Sequence, residues 1–237
     1  ITCSELLKKG ILPNQMIAYY LVVLQAFYER TGLEMARTRF RLLTDEERAF
    51  YSSFAFDFEV ETSLGWTELV ACNNRTDFDL SRHGETSGRT HSVMDGDEQV
   101  IPHIFELSMG VDRSIMAIIE HSLKKQDERE VLELKPYLAP IQVGVFPLVN
   151  RDGMEEKAET VLSKIQKDFV AFYDGSGSIG RRYRRADEIG VPKCLTIDSE
   201  TLANDTVTIR DRDSMKQTRL RIDELSEALN TTLLLHD

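Results

Sequence analysis

The sequence predicts an α/β (α+β) protein in two parts, an antiparallel sheet with flanking helices followed by a smaller α/β unit with a mixed sheet. Two strand-like runs, at 53–62 and 66–72, are joined by Ser63-Leu64-Gly65, and this spacing is typical of an antiparallel hairpin. From about residue 141, strand and helix patterns alternate as they do in compact α/β units. The 237 residues, 41% apolar and 29% charged, have the composition of one large or two modest globular domains.

Two helices are expected at the start of the first part. Ser4 can cap a short helix over 5–9. Asn14 opens a longer helix to about Thr31, whose apolar residues recur on one face. In chain order, the other elements expected in this part are a strand at 38–43, a short helix at 45–51, the hairpin, a polar turn leading into a short helix at 73–80, and a polar, glycine-rich loop at 84–98.

Charged residues alternate along two of these strands, so each set shares one face of the sheet: Arg39 and Arg41 on one strand, and Asp57, Glu59 and Glu61 on the next. The arginines are typical of a solvated surface. The acids indicate either a solvated surface or a site for a cation or an ammonium group. Glu68 lies in an otherwise apolar run and needs a partner there, which makes it a candidate functional residue.

The stretch 100–113 combines chemical groups that suit a small charged ligand. An apolar strand-like run ends at Glu106 and Ser108. A turn at Gly110 then leads to Arg113, at the start of a helix predicted over 114–123. The carboxylate suits an ammonium group, and the arginine beside a helix N-terminus suits phosphate oxygens. The residues can therefore bind a small zwitterion together with a phosphate; the alternative is an edge strand, a glycine turn and a surface ion pair.

The densely charged segment 124–133, followed by Pro136, predicts a domain boundary, with domains at 1–133 and 136–237. The second domain is expected to contain strands at 141–146, 169–173, 193–197 and 206–210 and helices at 154–167, 180–189 and 222–229.

A Gly-Ser loop at 174–180 precedes four arginines, Arg181, Arg182, Arg184 and Arg185. The pattern favours phosphate contact as much as ion pairs with neighbouring acids, and it lacks the Lys-Ser/Thr pair of a P-loop. The tetrapeptide Arg210-Asp211-Arg212-Asp213 is equally consistent with surface ion pairs and with RNA contact.

Composition limits the classes of function. The net charge of −11 argues against general nucleic-acid binding but leaves room for a local basic patch. The cysteines Cys3, Cys72 and Cys194 have no zinc-site spacing, which favours reduced thiols in a cytoplasmic protein. The sequence predicts neither a membrane span nor a secretory signal. Because the chain begins with Ile1 and not with methionine, further sequence upstream is expected.

Taken together, several stretches resemble the C-terminal part of class II glycyl-tRNA synthetases. Residues 11–20 and 39–41 resemble the segment before the family's central strands, and 65–69 with 74–80 resemble its amino-acid pocket. The run Glu106-Leu107-Ser108-Met109-Gly110-Val111-Asp112-Arg113 resembles class II motif 3. Residues 138–140 and 177–192 are similar to its anticodon-binding domain. The resemblance implies part of a class II antiparallel sheet followed by an α/β anticodon-binding domain.

The resemblance also implies a ligase that activates glycine with ATP and Mg²⁺ and transfers it to tRNA(Gly), in a cytoplasmic homodimer. The residues it assigns to glycine are Arg75, Glu106, Ser108 and Gly110, and those it assigns to ATP are Glu68, Leu69, Gly110, Val111, Asp112 and Arg113. Glu68 is also the candidate Mg²⁺ ligand. The candidate tRNA-binding residues are Arg181, Arg182, Arg184, Arg185, Arg210 and Arg212.

The chain departs from the family pattern in three places. Motifs 1 and 2 are not found and are expected upstream of Ile1, so the exposed face of the antiparallel strands is predicted to be apolar and in need of cover. Leu43 and Glu46 stand where the family usually has His and Asn, and Leu107 stands where it has proline. The competing function is therefore a non-catalytic relative, such as a polymerase accessory subunit or a tRNA-binding module. The retained pocket residues favour the synthetase.

Overall fold

The structure, a computed structural model, describes residues 2–126 and 129–234, and its contacts divide the chain into two compact units, Ile1–His121 and Ser122–Asp237. The predicted domains, 1–133 and 136–237, placed the boundary later. The charged segment 124–133 belongs to the second unit because its described residues pair as an antiparallel hairpin in which Val131 is fully buried.

The first unit is built on a four-stranded antiparallel sheet, as predicted. Its elements are α1 (Cys3–Lys8), α2 (Gln15–Thr31), β1 (Thr38–Leu42), β2 (Phe54–Thr62), β3 (Gly65–Thr76), α3 (Phe78–Ser87), β4 (Val93–Asp95), β5 (Glu98–Val100), β6 (Ile104–Met109) and α4 (Val111–Ser122). The sheet order is β1-β2-β3-β6, and the tight turn at Gly65 joins β2 to β3. The short strands β4 and β5 form a separate hairpin.

One face of the sheet forms the core of the unit together with α2. Asn14 caps this helix by accepting a hydrogen bond from the Ile17 amide at 2.9 Å, and Gly32, with φ at +95°, ends it. The Tyr28 ring stacks on Phe58 with 5.1 Å between ring centroids, and both side chains are buried. Ile17, Leu21 and Leu24, which recur at helical spacing, lie on the buried face of α2 and cover the strands, whereas Tyr20 and Phe27 of the same periodic set are exposed.

The opposite face of the sheet is polar, which corrects the expectation of an apolar uncovered face. The strand register places Arg41 opposite Asp57, Asp57 opposite Ala71, and Ala71 opposite Ser108. Because cross-strand partners project to the same side, the alternating charges collect on one face. Exposed apolar side chains lie on α2, which is apolar around most of its circumference, and on α4; those of α2 include Met16, Tyr19, Tyr20, Val23 and Phe27, and those of α4 include Val111, Ile115 and Ile119.

Three local predictions in this unit were wrong. Thr2, not Ser4, caps α1, because Thr2 and Glu5 form a reciprocal capping box. Residues 45–51 form turns instead of a helix, and Glu47 bonds back to the Thr44 amide at 2.9 Å. The predicted loop 84–98 contains the end of α3 and a hairpin whose two turn residues are Gly96, with φ at +62°, and Asp97; glycine at the first turn position is the signal that indicates it.

The second unit contains the predicted mixed sheet. Its elements are β7 (Leu123–Gln126), β8 (Arg129–Leu132), β9 (Val143–Pro147), α5 (Met154–Ile165), β10 (Ala171–Tyr173), α6 (Ile179–Glu188), β11 (Lys193–Ile197), α7 (Ser199–Asn204), β12 (Thr206–Asp211), β13 (Gln217–Arg221) and α8 (Leu225–Leu233). The sheet order is β10-β9-β11-β12-β13, with parallel pairing around β9 and antiparallel pairing through β12. The β7–β8 hairpin, α7 and β13 are additional to the elements predicted from the sequence.

The core of this unit lies between the sheet and the helices α5 and α8. All five residues of β9 are buried, as expected for a central strand in parallel contact on both sides. Ala158, Val161 and Ile165 supply the buried face of α5 at helical spacing. Among the described residues of the whole chain, no helix is both long and apolar enough to cross a membrane.

Candidate functional site

The strand β6 and the start of α4 bring the predicted ligand residues to one edge of the polar face. The register places Glu106 opposite Asn73 and Ser108 opposite Ala71 on β3. The Gly110 amide donates to the Leu69 carbonyl at 3.3 Å, and α4 begins at the next residue. The turn thus joins a strand that presents a carboxylate and a hydroxyl to the N-terminus of a helix.

Arg113 lies in the first turn of α4 and reaches back to β3. Its Nη1 donates to the Glu68 carbonyl oxygen at 3.1 Å and to Glu68 Oε1 at 3.4 Å. The two side chains are 56% and 43% exposed, so this ion pair contributes little to stability. Arg113 therefore remains accessible to an anionic ligand on the polar face.

The other residues predicted to bind ATP differ in how far their side chains are exposed to solvent. Val111 and Asp112 are exposed at the start of α4. Leu69 is 1% exposed and packs in the core, so only its main chain can contribute to a ligand site. A side chain at Gly110 would lie 3.9 Å from the Arg113 stem, so glycine leaves that space open.

Arg75 sits at the centre of a charged cluster beside Glu106. Its Nε and Nη2 donate to the two oxygens of Asp79 at 2.6 and 2.8 Å, and its Nη1 donates to Glu106 Oε2 at 2.9 Å. The hydrogen bonds to Asp79 and then Glu106 raise the pKa of Arg75 above its usual value. The guanidinium carbon lies 4.0 Å from the centre of the Tyr51 ring. The structure thus brings Arg75 and Glu106 together, as the resemblance implies.

The acids of β2 are paired with the arginines of β1, an arrangement that sequence reasoning did not identify. Arg41 donates to Asp57 and Glu59, both at 2.9 Å, and Arg39 donates to Glu59 at 2.6 Å. Both acids are 6% exposed, and burial raises the pKa of Asp57. The signal was the matching alternation of opposite charges on consecutive strands, which can pair once the strands are neighbours.

Three of the six predicted tRNA-binding arginines are buried. Arg182 donates to main-chain carbonyls that include Gly175 and Gly177, at 2.7 and 2.8 Å. Arg210 forms a two-fold hydrogen bond with the buried Asp187 at 2.8 and 3.0 Å. Arg212 donates to the carbonyls of Leu132, Leu134 and Gly190 at 2.8 to 3.0 Å. These guanidinium groups hold the second unit together and are not available on its surface.

The exposed arginines of α6 lie near a pocket in the second unit. Arg181, Arg184 and Arg185 are exposed, and Arg185 binds Asp174 and the Ser176 carbonyl. The pocket, about 400 Å³ in volume, is lined by Gln126, Arg129, Gly180, Tyr183, Arg184, Asp187, Arg210 and Met215. The Nε and Nη1 atoms of Arg129 are buried without a hydrogen-bond partner, although Nη1 lies 3.7 Å from Asp187. Sequence reasoning missed Arg129 because it lies in the charged segment 124–133.

Both units are similar to parts of known proteins. Residues 142–232 match the family model of the anticodon binding domain. The glycine–tRNA ligase of Archaeoglobus fulgidus is 34% identical, over 98% of this chain and 54% of that protein. The glycine–tRNA ligase of Clostridium kluyveri is 42% identical, over 85% of this chain and 44% of that protein.

A solved structure shares the fold. Prolyl-tRNA synthetase from Cryptosporidium parvum, complexed with L-proline and AMP, matches 98% of this chain and 48% of its own with a TM-score of 0.66. At 16% sequence identity this likeness concerns the fold alone. The chain spans about half the length of the curated relatives it matches. By sequence, the chain is similar to glycine–tRNA ligases over most of its length, and residues 142–232 match the anticodon binding domain.

Proposed function

We propose that this chain supplies the amino-acid pocket, part of the ATP site and the tRNA-reading unit of a glycine–tRNA ligase. In the first step the glycine carboxylate attacks the α-phosphorus of ATP, and pyrophosphate leaves. In the second step a hydroxyl of the terminal ribose of tRNA attacks the glycyl carbonyl, and AMP leaves. The observation that carries the proposal is the convergence of Glu106, Ser108 and Arg113 on one polar face through the Gly110 turn.

Glycine would be bound by Glu106 and Ser108. The described residues offer no hydrogen-bond partner to Glu106 Oε1, while Oε2 accepts from Arg75. A carboxylate with one oxygen available can accept from an ammonium group, and the exposed Ser108 hydroxyl can complete its coordination. Arg75 contributes by orienting Glu106.

ATP would be bound along β3 and the start of α4. Arg113 suits the phosphates or the adenine ring, and the helix N-terminus at Val111 and Asp112 adds a positive dipole. Glu68, whose side chain is 43% exposed, would ligate Mg²⁺. No cluster of three or more metal-binding side chains occurs among the described residues. That agrees with an ion held by one carboxylate and by the ATP phosphates. The prolyl-tRNA synthetase that shares the fold was solved with an amino acid and AMP.

Amino-acid-dependent exchange of pyrophosphate into ATP tests this function. The protein that carries this chain is assayed with glycine, alanine, serine and proline in turn. Glycine is expected to support exchange, and the larger amino acids are not, since a cramped pocket rejects any added side-chain atoms. Exchange supported by another amino acid in place of glycine contradicts the proposed amino acid. Absence of exchange with every amino acid contradicts the proposal and favours a non-catalytic relative such as a polymerase accessory subunit.

We also propose that the second unit binds the anticodon of tRNA(Gly). Arg181 and Arg184 supply exposed cations, and Arg184 lines the pocket together with Arg129, whose Nη1 lies 3.7 Å from Asp187. Unpaired anticodon bases are recognised by such edge and stacking contacts. The arginines proposed to contact tRNA are therefore the exposed Arg181, Arg184 and Arg185, together with Arg129 in the pocket lining.

Arg184→Ala is expected to weaken binding of a tRNA(Gly) anticodon stem-loop by roughly threefold to tenfold and to reduce the salt slope by about one. Fluorescence anisotropy at several salt concentrations measures both. Arg151→Ala is the matched control, since Arg151 is exposed on the same unit and pairs with Asp152. A stem-loop with a changed anticodon is expected to bind less tightly. Equal affinity for both stem-loops would indicate a generic RNA-binding unit.

A homodimer in the cytoplasm is the assembly and location we propose for the intact enzyme. The outer face of α2 supports association, because Met16, Tyr19 and Phe27 are each 48 to 63% exposed and form an apolar surface. The three free cysteines agree with a reducing compartment.

A further inference from the structure

Arg75 is held from several directions, and Asp79 is its principal partner. The pair is 20% exposed on each side, and the two parallel hydrogen bonds of 2.6 and 2.8 Å fix the rotation of the guanidinium group. Arg75 therefore donates its third hydrogen bond, to Glu106, from a guanidinium group whose position is already fixed. Asp79 lies in the first turn of α3.

Asp79 also determines the charge that Glu106 presents. An arginine paired with a single glutamate is a neutral pair and a weak acceptor for a cation. Here one guanidinium, Arg75, meets two carboxylates, Asp79 and Glu106, which leaves one net negative charge. Both Asp79 oxygens are used by Arg75, so the excess charge is available at Glu106. An ammonium group is the ligand that such a cluster favours.

Tyr51 fixes the plane of the same guanidinium group. The Arg75 guanidinium lies 4.0 Å from the Tyr51 ring centre, and Tyr51 in turn packs on Phe50 and Phe78 at 5.3 and 6.3 Å between ring centroids. Phe78 begins α3 and directly precedes Asp79 in the chain. The turn segment 45–51 and the start of α3 therefore hold Arg75 from two elements through one aromatic cluster.

We propose that Asp79 and Tyr51 are positioning residues for the amino acid: they fix Arg75 and cancel its charge, so that Glu106 offers a rigid, net negative acceptor to the ammonium group. The proposal rests on the proposed function, because it assigns glycine to Glu106. It adds that the affinity for the amino group depends on Asp79 and Tyr51.

The test measures KM for glycine and KM for ATP separately in pyrophosphate exchange, with the protein that carries this chain. Asp79→Asn keeps the shape and one acceptor but removes the charge, so KM for glycine is expected to rise roughly 10- to 100-fold, the usual effect of losing a supporting partner. KM for ATP is expected to stay unchanged. Asp79→Glu restores the charge and is expected to recover part of the loss. Glu85→Gln removes the same charge from an exposed position on α3 and serves as the control.

Tyr51 provides a second, independent pair of variants. Tyr51→Phe keeps the ring under Arg75 and is expected to match the wild type, whereas Tyr51→Leu is expected to raise KM for glycine without raising KM for ATP. Exchange by the wild type with unchanged glycine KM in Asp79→Asn and Tyr51→Leu overturns this proposal and leaves the proposed function standing. A parallel rise in both KM values shows a general structural role and also overturns it. Absence of glycine-dependent exchange in the wild type overturns the proposed function itself.

Discussion

Arg113→Ala is expected to reduce kcat/KM for ATP by roughly 30- to 900-fold, about 2–4 kcal/mol of transition-state stabilisation. Arg113 lies in the first turn of α4 with its side chain 56% exposed on the polar face, and within the described structure its guanidinium donates hydrogen bonds to the carbonyl and carboxylate of Glu68. A cation in that position can stabilise the negative charge that develops on the phosphates during adenylate formation.

The stability of the protein should barely change in this variant. An exposed ion pair contributes at most about 1 kcal/mol, so the thermal unfolding midpoint is expected to move by only a few degrees. Arg113→Lys separates charge from shape, because lysine keeps the positive charge but not the planar fork. Arg82→Ala, at an exposed arginine of the same unit, is the control. Equal ATP binding and turnover in Arg113→Ala and the wild type would remove Arg113 from the site.

The elements that were predicted correctly are those whose formation depends on residues close together in the sequence. The tight turn between β2 and β3 and the strand-helix alternation after residue 141 both depend on neighbouring residues, and the structure contains both. The segment Glu106 to Arg113 also folds as strand, turn and helix start, because its apolar run and Gly110 determine the chain direction there.

Predictions about charged side chains were less reliable, because a sequence shows a charge but not its partner. Arg212 looked like a surface residue in an Arg-Asp repeat, yet its guanidinium donates to the carbonyls of Leu132 and Leu134, far away in the sequence. The alternation of Arg39 and Arg41 suggested a solvated surface, but the register of β1 on β2 places both beside Glu59. These contacts exist only after distant segments have met, so the charges of one segment considered alone cannot indicate them.

The arginines of the polar face differ in how closely they are paired with the protein's own carboxylates. Arg39 and Arg41 are engaged by the buried acids of β2, and Arg75 is engaged by Asp79 and Glu106. The contact of Arg113 with the Glu68 carboxylate, at 3.4 Å, is longer than the contacts of Arg39, Arg41 and Arg75 with their acids, at 2.6 to 2.9 Å. Attack on the α-phosphorus of ATP requires donors placed on the developing charge of that group.

The 237-residue chain by itself is accordingly expected to show no glycine-dependent exchange of pyrophosphate into ATP. No segment of it resembles the motif 2 strands and loop that carry the arginine on the α-phosphate, and the chain matches only 54% and 44% of two glycine–tRNA ligases. Loss of one preorganised donor costs on the order of 10²–10³ in rate, and here further walls of the pocket are expected elsewhere.

The measurement compares the chain alone with a fusion to the part of the Clostridium kluyveri ligase that it does not match. The fusion is expected to restore exchange, and Arg113→Ala within the fusion should abolish most of it again. Binding of an anticodon stem-loop is measured on both proteins as a control, since the second unit is the same in each. Robust glycine-dependent exchange by residues 1–237 alone would contradict this expectation, because Arg113 and the polar face would then suffice to stabilise the charge on the α-phosphate.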